Sequence, residues 1–284
     1  MVNDFSVAYR TTEAELGPMI ALGMSAEGAG AALFVISVML GAKTSALLGL
    51  GTVCLGAGAL FAHLGHPSRF WRVVSKSRTT WISRGAVFTG GLIGCGALSL
   101  IMPDANGWRM LSHVFSFICA VVVMLYTGFH FSSMNAVPFW HSPLLPTLLL
   151  VQSTATAGVA AMIVIPTSGS RLVAYPQAVS AVIATLLLCL GLTWVYLKSS
   201  PPCEAARESV RLLTEGRLRS IFVMRGAVLG LVGPTILILS AVHLSGTMAP
   251  PVARLLSLAL ILRVLGDFSF RHAILRSGVY APVV

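Results

Sequence analysis

Charge is what this sequence has least of. Only 10% of its 284 residues are Asp, Glu, Lys or Arg, where soluble domains carry about 25%, and so little charge excludes a soluble globule. Acid is scarcer still, with nine carboxylates against nineteen basic residues. The five cysteines include no CxxC pair, and all except Cys203 stand inside apolar runs, so the chain cannot build an iron-sulfur cluster of its own. The alternating pattern of about ten residues that a membrane barrel needs is absent. The stretch from Met1 to Leu16 holds Asp4, Arg10, Glu13 and Glu15 where a leader would have a basic segment running into an apolar one, which predicts no cleaved leader.

What remains is hydrophobicity: 56% of the residues are hydrophobic and mean hydropathy is +0.87. Several apolar runs are long enough to cross a hydrocarbon core of about 30 Å. We place eight spans, at roughly 17–41, 44–66, 83–103, 108–133, 144–166, 173–197, 221–244 and 252–277. The expected fold is an all-α integral membrane protein, an eight-helix bundle forming one domain over residues 1–284. The 27 glycines suit close approach of helices in lipid.

An even number of spans puts both termini on one side. Lys43, Arg109, Arg171 and Arg254 then fall on one face of the membrane. Arg10, Arg69, Arg72, Lys76, Arg78, Arg84, Lys198, Arg207, Arg211, Arg217, Arg219, Arg225 and Arg276 fall on the other, with Arg263 and Arg271 inside a span. Because cytoplasmic loops accumulate Lys and Arg, the termini are expected in the cytoplasm and the bundle in the inner membrane. Two connections on that face are more than turns. In 67–82, Arg69, Arg72 and Lys76 recur at helical spacing opposite Phe70, Val73 and Val74, with Trp71 and Trp81 available at headgroup level. That pattern suits either anionic lipid or a docked partner. The second connection, 198–220, mixes charges with Val210, Leu212 and Leu213, consistent with another surface helix.

Ionisable residues inside lipid need a partner or a task. Arg263, Asp267 and Arg271 follow one another at i, i+4, on one helical face, where the carboxylate can pair with either guanidinium. They read as an ion-pair ladder, with Arg271 also placed to hold an oxygen-rich ligand. Glu27 lies in the first span among Ala26, Gly28, Ala29 and Gly30, either a proton-pathway carboxylate or a buried protonated acid. Histidines fall at matching depth in two pairs, His63 with His130 and His113 with His243, an arrangement open to b-type haem as well as to plain interface hydrogen bonds.

His63-Leu64-Gly65-His66-Pro67, followed by Trp81-Ile82-Ser83-Arg84-Gly85, resembles the membrane-anchor subunit of dimethyl sulfoxide reductase, the DmsC family, and more distantly NrfD-type anchors. Val137-Pro138-Phe139-Trp140-His141-Ser142 resembles that family's VPxWxS segment, and Gly266-Asp267 with Arg271 its G(E/D)xxxR segment. The resemblance implies a haem-free anchor. Such an anchor passes electrons between a membrane quinone, ubiquinone or menaquinone, and an iron-sulfur subunit bound to a molybdopterin catalytic subunit, both in other chains. It also implies a quinone-binding role for His63. The acid that the family carries early in its third span is replaced here by Gly85, beside Arg84.

A quinone head group needs hydrogen-bond donors, an apolar slot and two protons. His63, with Arg69, Arg84 and Arg271 around it, is the expected quinone site, and Glu27 and Asp267 the expected proton pathway. Without an acid at position 85, quinone reduction is favoured over quinol oxidation, as in the family's sulfite-oxidising branch. Two alternatives stand beside this reading. One is a haem b-containing quinone-reactive anchor. The other is a secondary transporter using Glu27 and Asp267 near the midplane, although the paired repeats common in transporters are missing.

Overall fold

The structure, a computed structural model, describes residues 11–12, 17–62, 80–103, 107–164, 166–167, 170–171, 176–244 and 249–281. Its long helices are α1 (Pro18–Met39), α2 (Lys43–Ala62), α3 (Trp81–Ile101), α4 (Gly107–Ser132), α5 (Leu144–Val164) and α6 (Pro176–Lys198). The short helix α7 (Glu204–Thr214) follows. Then come α8 (Ser220–Leu244), whose first part, Ser220–Val232, is a π-helix, and α9 (Ala249–Arg276). A two-residue antiparallel pair, Pro166–Thr167 with Ser170–Arg171, lies between α5 and α6.

Among the described residues, seven helices, α1 to α6 and α8, have the length and hydropathy to cross a membrane. The expected eighth span coincides with α9, which has 28 residues but interrupts its apolar sequence with Arg263, Asp267 and Arg271. Of the expected surface segment at 67–82, residues 67–79 lie outside the described residues, and Trp81 and Ile82 open α3. The 198–220 connection contains α7, as its composition predicts. Its small apolar face (Ala205, Ala206, Leu213) is buried while Arg211 and Glu208 pair at 3.4 Å near solvent.

Local chemistry sets the helix ends. Pro18 sits in the first turn of α1, where its missing N–H is no loss. The turn into α2 passes through Gly41 at φ 68°, and Ala42 N–H returns to the Ser37 carbonyl at 2.8 Å, so α1 reverses within three residues. Thr80 caps α3 by accepting from Ser83 N–H at 3.2 Å.

Helices α1 and α5 are the most buried spans. α1 packs against α2, α4, α5 and α9, and α5 against α1, α4, α6 and α9, so the seam of α1, α5 and α9 joins both halves of the bundle. At the end of the bundle where residues 11–12 and 277–281 lie, the 133–143 loop closes over the helices. Trp140 is buried and its indole N–H donates to the Ile274 carbonyl at 2.9 Å. Tyr196 donates to the Phe139 carbonyl at 2.8 Å, and Ala281 N–H to Ala136 at 2.9 Å. Thr11 bridges Val279, and Thr12 donates to Leu275 at 2.6 Å, tying residues 11–12 to the segment that follows α9.

Candidate functional site

The bundle interior holds a polar centre on the α1–α5–α9 seam. Glu27 is buried at 3% exposure, and Tyr126 on α4 donates its hydroxyl to Glu27 Oε2 at 2.6 Å. Small residues make this depth accessible to neighbouring backbone. A Cβ on Gly56 of α2 would lie 2.6 Å from the Glu27 amide nitrogen, so only glycine lets α2 pass this close to α1. A Cβ on Gly28 would collide with Ser153 Oγ and sit 3.5 Å from Arg271 Nη2. Arg271 and Ser153 therefore close directly on the backbone next to Glu27.

Arg271 donates from Nε to Asp267 Oδ2 at 3.1 Å and from Nη2 to Ser153 Oγ at 2.9 Å. Arg263 donates from Nη1 to the Gly230 carbonyl at 3.2 Å, and from Nη2 to both the carbonyl and the side-chain oxygen of Gln152. Its Nη2 also lies 3.7 Å from Asp267 Oδ1. The i, i+4 ladder read from the sequence is thus present on α9 and fully buried. Arg263 and Arg271 reach across it to Gln152, Leu149 and Ser153 of α5.

The Gly230 carbonyl lies where the winding of α8 is unusual. In an α-helix it would accept from residue 234, but Pro234 has no N–H. The chain there is wound as a π-helix, with Gly233 N–H reaching back five residues to Val228. Arg263 donates to this carbonyl, and Gly230 faces Gly266 in direct backbone contact, where neither position has room for a Cβ.

Position 85 leaves no room for a side chain. A Cβ there would run into the ring of Tyr126, so the aromatic ring fills the volume a side chain at 85 would claim. Its hydroxyl points to a carboxyl supplied from another helix, Glu27. The structure therefore brings together Glu27, Asp267 and Arg271 of the sequence-derived candidates. It adds Tyr126, Gln152, Ser153 and Gly230, of which only Gln152, an amide inside an apolar run, was visible as an anomaly. Arg84 lies at the end of α3 with its guanidinium 4.6 Å over the Trp81 ring, which itself stacks on Phe129 at 4.6 Å. His63 and Arg69 fall outside the described residues. His130 packs against Phe131. His113 lines an apolar cavity of about 350 Å³ with Phe34, Val38, Phe117 and Ile118, toward the other ends of α1 and α4. Among the described residues no group of three His, Cys, Asp or Glu side chains is arranged to hold a metal ion.

Together these features define an all-α integral membrane protein with a buried carboxyl, phenol and guanidinium centre. The family described as polysulphide reductase, NrfD, matches residues 28–282, nearly the whole bundle from just after Glu27, and the chain belongs to that family. A curated relative, Protein NrfD of Escherichia coli (strain K12), is 27% identical over a match that covers 43% of this chain and 46% of the relative. The chain thus spans a little under half the length of that relative.

Proposed function

We propose that this chain is the quinone-reactive membrane anchor of an oxidoreductase complex, exchanging electrons between the quinone pool and an iron-sulfur subunit bound to a molybdopterin catalytic subunit. Membership of the NrfD family supports the anchor role, since NrfD membrane proteins generally serve as quinone-linked subunits of redox complexes. The observation that carries the site is the buried Glu27 carboxyl held by the Tyr126 hydroxyl. A quinone supplies two-electron chemistry, and the protein must bind its carbonyls and move its protons. His63, with Arg69, Arg84 and Arg271, binds the head group at the termini-bearing end. Trp81 and Phe129 provide aromatic surface beside Arg84. Glu27 exchanges protons through the Tyr126 hydroxyl, in place of a carboxyl at position 85, and Asp267 extends the path across Arg271. The bundle is a single domain of eight spans with α9 as the last, and lies in the inner membrane. The hydrophilic partners dock on the cytoplasmic face, where α7 and the 67–82 segment carry the charge. Net flux runs toward quinone, as in a sulfite-oxidising enzyme.

Purification in mild detergent tests the class. An anchor brings down iron-sulfur and molybdenum subunits, whereas a transporter comes alone. Within an assembled complex, Glu27→Gln and His63→Ala should each lower quinone turnover at least tenfold and leave dye-linked activity of the soluble subunits intact. Unchanged quinone kinetics in both variants would remove the site from this end of the bundle.

A further inference from the structure

At the centre of the α5–α9 contact, three buried polar atoms have no hydrogen-bond partner among the described residues: Asp267 Oδ1, Arg263 Nε and Gln152 Nε2. Their residues are at most 1% exposed. The three side chains meet at one nitrogen, Arg263 Nη2, which donates to Gln152 Oε1 and stands 3.7 Å from Asp267 Oδ1. That separation is too long for a direct hydrogen bond. The orphaned Nε–H lies on the same edge of the guanidinium as one N–H of Nη2, the nitrogen that both Gln152 and Asp267 approach. Buried polar atoms in native proteins nearly always find a partner, and a cluster of unmet ones marks an occupant.

The kinds of the three atoms select the occupant. Two of them donate and one accepts. A small anion would satisfy Arg263 Nε–H and Gln152 Nε2–H but would face the Asp267 carboxylate. A metal cation would satisfy the carboxylate but would face two N–H donors. Water meets all three: its lone pairs accept from Arg263 and Gln152, and one O–H donates to Asp267. Two to four polar partners is what a buried water requires. We propose that the seam of α5 and α9 holds a structural water bound by Asp267, Arg263 and Gln152. The site lies near the middle of the 28-residue α9, far from either end of the bundle. One O–H of this water stays free to continue a hydrogen-bonded chain. Asp267 is then open to proton exchange on Oδ1 while Arg271 holds Oδ2. The inference stands independently of the quinone reading, because it rests on the hydrogen-bonding capacity of three side chains whatever the bundle carries.

The test is a cryo-electron microscopy map of the purified full-length protein, with whatever subunits stay bound to it, in lipid nanodiscs, at a resolution that shows ordered water elsewhere between the spans. A peak within hydrogen-bonding distance of Asp267 Oδ1, Arg263 Nε and Gln152 Nε2 is the expected result. Direct pairing of those atoms with one another, or no peak where other buried waters are seen, overturns the proposal. In a map of Gln152→Leu the peak should be lost or displaced toward Asp267. An unchanged peak in that variant overturns the three-point site.

Discussion

Tyr126 and position 85 compete for one volume, and that competition makes the site testable residue by residue. Gly85→Ala forces a methyl group into the Tyr126 ring, a kind of overpacking that costs about 1–3 kcal/mol. The thermal midpoint of the purified protein should fall, and in a Tyr126→Leu background the same Gly85→Ala change should cost little further, because the smaller side chain vacates the contested space. Tyr126→Phe keeps the ring and removes only the hydroxyl that Glu27 accepts. It should lower stability by about 1–3 kcal/mol through an unsatisfied buried acid, and should slow quinone turnover in the assembled complex while dye-linked activity holds. At the ladder, Arg271→Leu strips Asp267 Oδ2 of its 3.1 Å donor. Breaking a buried pair from one side costs about 3–5 kcal/mol, so the yield of folded protein should drop sharply, a loss read by fluorescence-detected size exclusion.

At the scale of the element, α8 is the unusual helix. Thirteen residues of π-winding, Ser220–Val232, run into Pro234, which has no N–H to offer the Gly230 carbonyl that Arg263 reaches. Pro234→Ala restores an N–H four residues from that carbonyl. The expected outcome is conversion of the last π turn to α-helix and withdrawal of Arg263 from Gly230. Disulfide cross-linking of cysteine pairs placed along α8 and α9 should then report a changed register. Unaltered cross-linking would mean that the Gly230–Gly266 contact, and not the proline, holds the winding. Helix α7 shows the opposite economy. Its pattern of Ala205, Ala206, Ser209 and Leu213 inward, with charge outward, is complete within eleven residues and needs no partner helix to be read.

For the whole molecule, the charge asymmetry predicts that both termini and the 198–220 connection face the cytoplasm. Cysteines introduced in α7 or after Gly278 should resist an impermeant reagent added to intact cells and react after permeabilisation. Labelling of intact cells would invert the bundle. The tying of the chain ends to the 133–143 loop adds a structural expectation. Trp140→Phe removes the donor to Ile274 and should expose the C-terminal segment to limited proteolysis while the spans stay protected.

The sequence by itself determined the class, the positions of the long helices and the α9 ladder. Hydropathy over about twenty residues is a local quantity set by lipid thickness, and i, i+4 neighbours share a helix face whatever surrounds them. The same locality explains why α7 was legible, and why Trp140 could be singled out in a motif without its Ile274 partner being known. Only the tertiary structure decided what Glu27, Arg263 and Gly85 touch. The Tyr126 partner of Glu27 lies 99 positions away, and the Gln152 partner of Arg263 111 positions away. Such pairings depend on which helices pack together and how closely glycines let them approach. In lipid that choice comes from the fit of small residues such as Gly28, Gly56 and Gly230 against backbone on other helices, and no pattern along a single helix encodes it.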